Sequence, residues 1–241
     1  MRKKAQYRGF SLAEVLLAVG TLAIGMIFIG GTFLTGVYFS TLSTERTIAA
    51  AVADEAFAKI RLYGIDPASS SLATDRLVRF EALNPIADDE FAYPSTKTVG
   101  QKQYYWSALC RPVYSDATNR LVQVTVFISR KVGSAATYPP DGAIRPVPVQ
   151  VSVSASGLGS QDRLTITTPG EETYINDGCT IADNRTGLLY RVLQRDADAP
   201  SVIRLDKLWY GQTTDSVWVI PPPIGGGKEP CIAVYQKLIS F

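Results

Sequence analysis

Glu14 is the only charged residue between Arg8 and Glu45, and its neighbours are apolar or small. A carboxylate in such surroundings costs about 2.5 to 3.5 kcal/mol on membrane-insertion scales, so a chain that keeps one usually uses it. The chemistry open to it is pairing with a cation. Phe10 lies four residues earlier, on the same face of a helix. A cation presented on that face, by this chain or by a packed neighbour, would therefore meet Glu14. A buried pair of this kind adds little stability but can set register between helices. The alternative is a carboxylate that snorkels to the membrane surface.

Other reactive residue types are sparse. The chain of 241 residues has no histidine, which removes the Ser-His-Asp and Cys-His nucleophile arrangements and the commonest general base. Its three cysteines, Cys110, Cys179 and Cys231, show no CxxC spacing and are too few for a zinc site without histidine. One disulfide with one free thiol suits an oxidising compartment, with Cys179 and Cys231 as the candidate pair; three reduced, buried cysteines are the alternative. Gly225-Gly226-Gly227-Lys228 has Pro222 where a P-loop needs its first glycine and Glu229 where it needs Ser or Thr, so it reads as a loop. Gly157-Leu158-Gly159-Ser160 also reads as a loop. Asp88-Asp89-Glu90 and the stretch Asp177 to Asp183 carry oxygen ligands that suit calcium, but without EF-hand spacing they read as solvated acidic loops. Trp209, Tyr210 and Trp218 read as core aromatics rather than a recognition surface. No constellation supports catalysis, a cofactor or a resident metal.

The elements that would position Glu14 begin with Val15 to Thr44, 30 residues without a charge. This is long enough to cross a bilayer as a helix, with the membrane part at about 15–38. Of 24 Lys and Arg, four (Arg2, Lys3, Lys4 and Arg8) precede the apolar run, leaving 20 against 22 Asp and Glu. The positive-inside rule then puts the N-terminus in the cytoplasm and the rest outside it. The remainder offers no global basic field for nucleic acid. A secretory signal is the competing reading, but the apolar run is too long for one and carries Glu14 near its start. Beyond the run, Ile48, Val52, Ala56 and Ile60 recur every four residues with charges on the other faces, which predicts an amphipathic continuation. Gly64 followed by Asp66-Pro67 is a stop signal. One helix from Phe10 to about Tyr63 would be roughly 80 Å long. Gly30-Gly31 is its weakest point.

The string Arg8-Gly9-Phe10-Ser11-Leu12-Ala13-Glu14-Val15-Leu16-Leu17 resembles the prepilin signal of type IV pilins and type II secretion pseudopilins. The resemblance implies a leader, residues 1–9, cut between Gly9 and Phe10 by a prepilin peptidase. It implies N-methylation of Phe10 and an assembly role for Glu14, at the fifth position of the mature chain. The helix-breaking proline of many pilins is missing here, so any local unwinding would fall to Gly30-Gly31.

After the helix, residues 65 to 103 are polar and turn-rich, with a short helix expected near Ser70–Leu83. Val122, Val124, Val126 and Ile128 alternate with polar residues, Phe127 being the exception, and Val147, Val149, Val151 and Val153 repeat the pattern. Period two predicts strands with one buried face. Pro146 and Pro148 put the start of the second strand at an edge. Tyr104 to Val113 is expected to pair with 120–130 through the turn Ser115–Asn119. Further short strands are expected at 164–168, 188–193, 201–205, 217–220 and 232–239. The expected class is α+β: a long N-terminal membrane-spanning helix packed on an antiparallel sheet head, with a small additional C-terminal β module, barrel or sandwich. The divisions are 1–9 leader, 10–64 helix, 65–155 head and 156–241 module.

With 46% hydrophobic and 19% charged residues the chain is a folded protein rather than a disordered one. The resemblance implies a non-catalytic minor pilin or pseudopilin, similar to the minor pilins of the V type and the I-type pseudopilins. Its implied partners are the prepilin peptidase, other pilin or pseudopilin subunits, an inner-membrane assembly platform and membrane lipid. Its implied locations are the cytoplasmic membrane and then a filament, with the head in the periplasm or outside. The alternatives are a membrane-anchored extracytoplasmic enzyme or binding protein that does not polymerise, and a filament-tip adhesin or DNA-uptake subunit.

Overall fold

The structure is a computed structural model that describes residues 11–66, 69, 72, 76–98, 102–114, 120–133, 135–155 and 162–241. The chain forms two compact units, Met1–Thr47 and Ile48–Phe241. Helix α1, Leu12–Tyr63, contributes to both and is helical through Gly30 and Gly31. It stops where the sequence says it should. Gly64 takes a φ of 74° and its N–H reaches the carbonyl of Ile60 at 3.0 Å, the left-handed close of a helix that a residue with a Cβ adopts at a cost.

In the second unit, α1 buries Ala49, Val52, Ala53, Ala56, Phe57 and Ile60, with Ile48 half-buried beside them. This is the four-residue stripe widened by its neighbours, as a 3.6 period requires. Each of Val52, Phe57 and Ile60 contributes about 1.5 to 3 kcal/mol by leaving water. The stripe lies on a sheet. In chain order come β1 (Val78–Arg79), helix α2 (Phe80–Leu83), a 3-10 turn (Asp88–Phe91), β2 (Ala92–Tyr93), β3 (Tyr104–Pro112) and β4 (Leu121–Arg130). β3 and β4 pair antiparallel from Tyr104↔Arg130 to Pro112↔Val122, the expected register. Among the described residues near Ser70–Leu83, helix is confined to α2, and the expected turn at 115–119 lies outside them.

The rest of the chain adds β5 (Val149–Ser154), β6 (Arg163–Ile166), a 3-10 turn (Glu171–Tyr174), β7 (Thr180–Asp183), β8 (Leu189–Arg195), β9 (Val202–Leu205), β10 (Thr214–Val219) and β11 (Cys231–Ser240). Six strands close into a barrel in the order β10-β5-β6-β9-β8-β7. Closure removes free edges, which six short strands could not otherwise protect. The barrel is filled by Val151, Val153, Leu164, Ile181, Tyr190, Val192, Ile203, Trp209 and Val217 among others. At its start β5 pairs in the ladder with β10 alone, over Val149 to Val151, as Pro146 and Pro148 imply, and it gains β6 on its other side at Val153 and Ser154.

The two sheets do not divide at residue 155. β5 belongs to the barrel, whereas β11 returns to the first sheet and pairs with β4 from Cys231↔Ser129 to Ser240↔Leu121. The open sheet therefore runs β1-β3-β4-β11, with β2 also on β3. This explains why Phe127 breaks the alternation of β4. Val122, Val124, Val126 and Ile128 face α1, while Phe127 points the other way, into a cluster with Leu77, Leu109, Ala182, Trp218 and Ile220. The strand is buried on both faces because the barrel packs against the back of the sheet. Polar contacts fix that seam: Gln236 Nε2 donates to Gly187 O at 2.6 Å, and the N–H of Leu77 donates to Asn184 O at 2.7 Å.

Candidate functional site

Ser11 and Glu14 start α1 as a reciprocal pair. The backbone N–H of Ser11 donates to Glu14 Oε2 at 3.2 Å, and the Ser11 hydroxyl accepts from the N–H of Ala13 at 3.2 Å. The N–H of Val15 reaches Ser11 O at 3.2 Å, which begins the helical ladder. This is a capping box: two N–H groups that a helix start leaves unpaired are satisfied, and the carboxylate sits at the positive end of the helix dipole. The Ser-x-x-Glu spacing is legible in the sequence, but the isolated charge of Glu14 points there to pairing with a cation or to snorkelling, and not to the cap. Gly9 and Phe10 lie outside the described residues.

Beyond the cap, the first unit presents its apolar side chains outward. Leu16, Leu17, Leu22, Ile27, Phe28, Ile29, Phe33 and Leu34 are all exposed. The helix is long and apolar enough to cross a membrane by length and composition, and its apolar window has no part buried within the structure. Its polar side chains do not contradict that surrounding. All six threonines between Leu12 and Thr47 turn their hydroxyls back onto carbonyls of the preceding turn, at 2.9 to 3.0 Å. No threonine donor is left seeking water, which hydrocarbon could not supply. A shallow groove runs between Ile27, Phe28 and Phe39 over Gly31, Thr32, Thr35 and Gly36. Small residues at that spacing let another backbone approach closely. No protein-family model, curated protein or solved structure matches this chain.

The other candidate groups have local partners. Asp88 Oδ1 accepts from Arg145 Nε at 3.1 Å, and Glu90 pairs with Lys59 at 2.8 Å. The Lys59 ammonium, by its hydrogen bond first and its charge second, holds the Glu90 carboxyl below the usual carboxylate range. Asp177 accepts from the N–H of Arg195, and Asp183 from the N–H groups of Arg185 and Thr186. These acidic stretches are thus tied to protein donors, and no group of three or more His, Cys, Asp or Glu poised for a metal occurs among the described residues. Trp209 is fully buried against Tyr190 with 4.9 Å between ring centroids, and Trp218 lies in the seam, whereas Tyr210 is exposed. Gly225 to Gly227 take positive φ in a loop, and Gly157–Ser160 lies outside the described residues. Cys110, Cys179 and Cys231 are free thiols, with Cys110 and Cys179 fully buried.

Proposed function

We propose that this chain is a non-catalytic minor pilin or pseudopilin. Its precursor is cut after Gly9 by a prepilin peptidase, and its mature N-terminus Phe10 is methylated. It assembles through α1 into a type IV pilus or a type II secretion pseudopilus. The observation that carries the reading is the string RGFSLAEVLL placed directly before a long apolar helix whose capped start contains Glu14.

The mechanism follows from that placement. Hydrolysis of the Gly9–Phe10 peptide bond frees an α-amino group one residue before Ser11, the residue whose N–H Glu14 already holds. The carboxylate is then available to that amine or to the equivalent amine of a neighbouring subunit. In an apolar surrounding, such a charged pair discriminates between registers because an unpaired carboxylate is costly there. The groove over Gly31 and Gly36 supports close packing of helices on either side. The anchored, non-polymerising enzyme or binding protein would share the helix but leaves the Gly9-Phe10-Glu14 combination without a role.

The deciding experiment is co-expression with a prepilin peptidase, followed by mass spectrometry of the N-terminus. A chain beginning at methylated Phe10 is the expected result. An intact N-terminus, or cleavage beyond the apolar run, rejects the reading.

A further inference from the structure

We propose that Arg46 and Ser43, next to Phe39 and Leu42 on one face of α1, bind the phosphate of an anionic phospholipid. The inference rests on the membrane-spanning part of the reading above, and adds a lipid site that cleavage and filament assembly do not require.

Distance along the helix places these residues. Arg46 is the first cation after Arg8. It stands about 48 Å beyond Glu14 at 1.5 Å per residue. A bilayer with its headgroups is about 40 to 45 Å thick, and a helix tilted by about 20° crosses it in about that length. With Glu14 in one headgroup layer, Arg46 reaches the other. Tyr38 and Phe39 lie two turns short of it as an edge-to-face pair, 5.8 Å between ring centroids, where aromatic belts sit.

The face is continuous. A groove on α1 is lined by Phe39, Leu42, Ser43, Arg46 and Thr47, which recur every three and four residues. Phe39 and Leu42 make its lower end apolar, and Ser43 and Arg46 make its upper end polar. Helix side chains lean toward the N-terminus, so the Arg46 stem is carried back over the turn that holds Leu42 and Ser43.

Both polar groups are unspent. Arg46 is exposed and has no ion pair among the described residues. Its helix neighbours at three and four residues are Leu42, Ser43, Ala49 and Ala50, none of them acidic. Glu45 is half-buried, already engaged, and about 100° round the helix. The Ser43 hydroxyl makes no hydrogen bond among the described residues, whereas the Thr47 hydroxyl returns to Ser43 O at 3.0 Å.

A phospholipid answers the whole face. Its phosphate oxygens accept from the guanidinium and the hydroxyl, and its first acyl carbons lie on Phe39 and Leu42. Free phosphate would fill only the polar end. The charge of Arg46 selects an anionic headgroup over a zwitterionic one.

The test reconstitutes the full chain in phosphatidylcholine vesicles that carry a minor share of photoactivatable phosphatidylglycerol. After irradiation and digestion, mass spectrometry should place an adduct within residues 39–47. Any adduct on the leader forms in the opposite leaflet and falls on a different peptide. Photoactivatable phosphatidylcholine should label 39–47 about fivefold less, and Arg46→Gln should lower the phosphatidylglycerol adduct about fivefold. Arg46→Lys should restore it, and inorganic phosphate should not compete. Equal labelling by the two lipids, or an unchanged adduct in Arg46→Gln, overturns the headgroup site. Displacement by inorganic phosphate overturns the lipid as occupant. A chain that carbonate extracts from the vesicles rejects the membrane-spanning reading and this site with it; a chain that stays inserted without a selective adduct rejects the site alone.

Discussion

The N–H of Ser11 donates to Glu14 Oε2 at 3.2 Å, so the one carboxylate in an apolar run already has a structural use. Capping needs an acceptor at that position, whereas pairing with an amine needs a negative charge. Glutamine supplies the first and not the second. Glu14→Gln should therefore keep helix content and peptidase cleavage but reduce recovery in filaments at least tenfold, as Glu14→Ala should. Shearing filaments from cells and quantifying the subunit checks this. Normal assembly of the Gln variant would assign Glu14 to the cap alone.

Gly211 lies under Trp209. A Cβ placed there would come within 2.2 Å of the indole ring, which is itself fixed by a 2.9 Å bond from its Nε1 to Gln212 O. Gly211→Ala should lower stability by about 2 to 3 kcal/mol through overpacking of the barrel. Urea unfolding followed by tryptophan fluorescence measures it.

Arg145 is nearly buried and reaches three groups at once: Glu81, Asp88 and the Ser107 hydroxyl, with its guanidinium over the Phe91 ring at 4.2 Å. An ammonium cannot reproduce a planar fork that serves several acceptors. Arg145→Lys should cost about 2 kcal/mol and Arg145→Ala about 3, read from thermal unfolding. Equal stability of Lys and Arg variants would show that charge alone suffices.

Burial raises the Glu229 carboxyl from 4.5 to about 7. Between those two values the folded chain holds a proton that the unfolded chain has released, so stability falls as pH rises through this window and levels off above it. The expected loss from pH 5 to pH 8 is about 2 to 3 kcal/mol, and Glu229→Gln should flatten the profile. Glu90 acts in a different window: its lowered carboxyl contributes stability above 4.5 that is lost only as pH falls below it. Denaturant titrations at several pH values separate the two.

Sequence periodicity located the elements better than their partners. α1 ends at Tyr63, as Gly64 announces, and β3 and β4 pair as expected. The strands expected at 164–168, 188–193, 201–205, 217–220 and 232–239 appear as β6, β8, β9, β10 and β11, with shifted ends. Period two reports which side chains share a face, but it carries nothing about which strand lies alongside. β5 and β11 therefore read equally well in either sheet. β7 escaped notice because it is four residues long and ends in Asp183, a charge buried by bonds to the next turn. Phe127 was visible as an irregularity, but its cause is a second layer that a single strand cannot announce. At the candidate site, Glu14 stood out by charge alone, while its bond to Ser11 depends on where the helix starts.

The return of β11 to β4 makes the barrel an insertion between two neighbours of one sheet. In a chain that emerges from its N-terminus, residues 149–219 are complete before Cys231–Ser240 exists outside the ribosome. The barrel can close on its own strands during that interval. β4 meanwhile has β3 on one side and a bare edge on the other, exposed to any strand that comes by. The open sheet is thus the late and vulnerable part of assembly, sealed by a segment that arrives only after the more distant fold is finished.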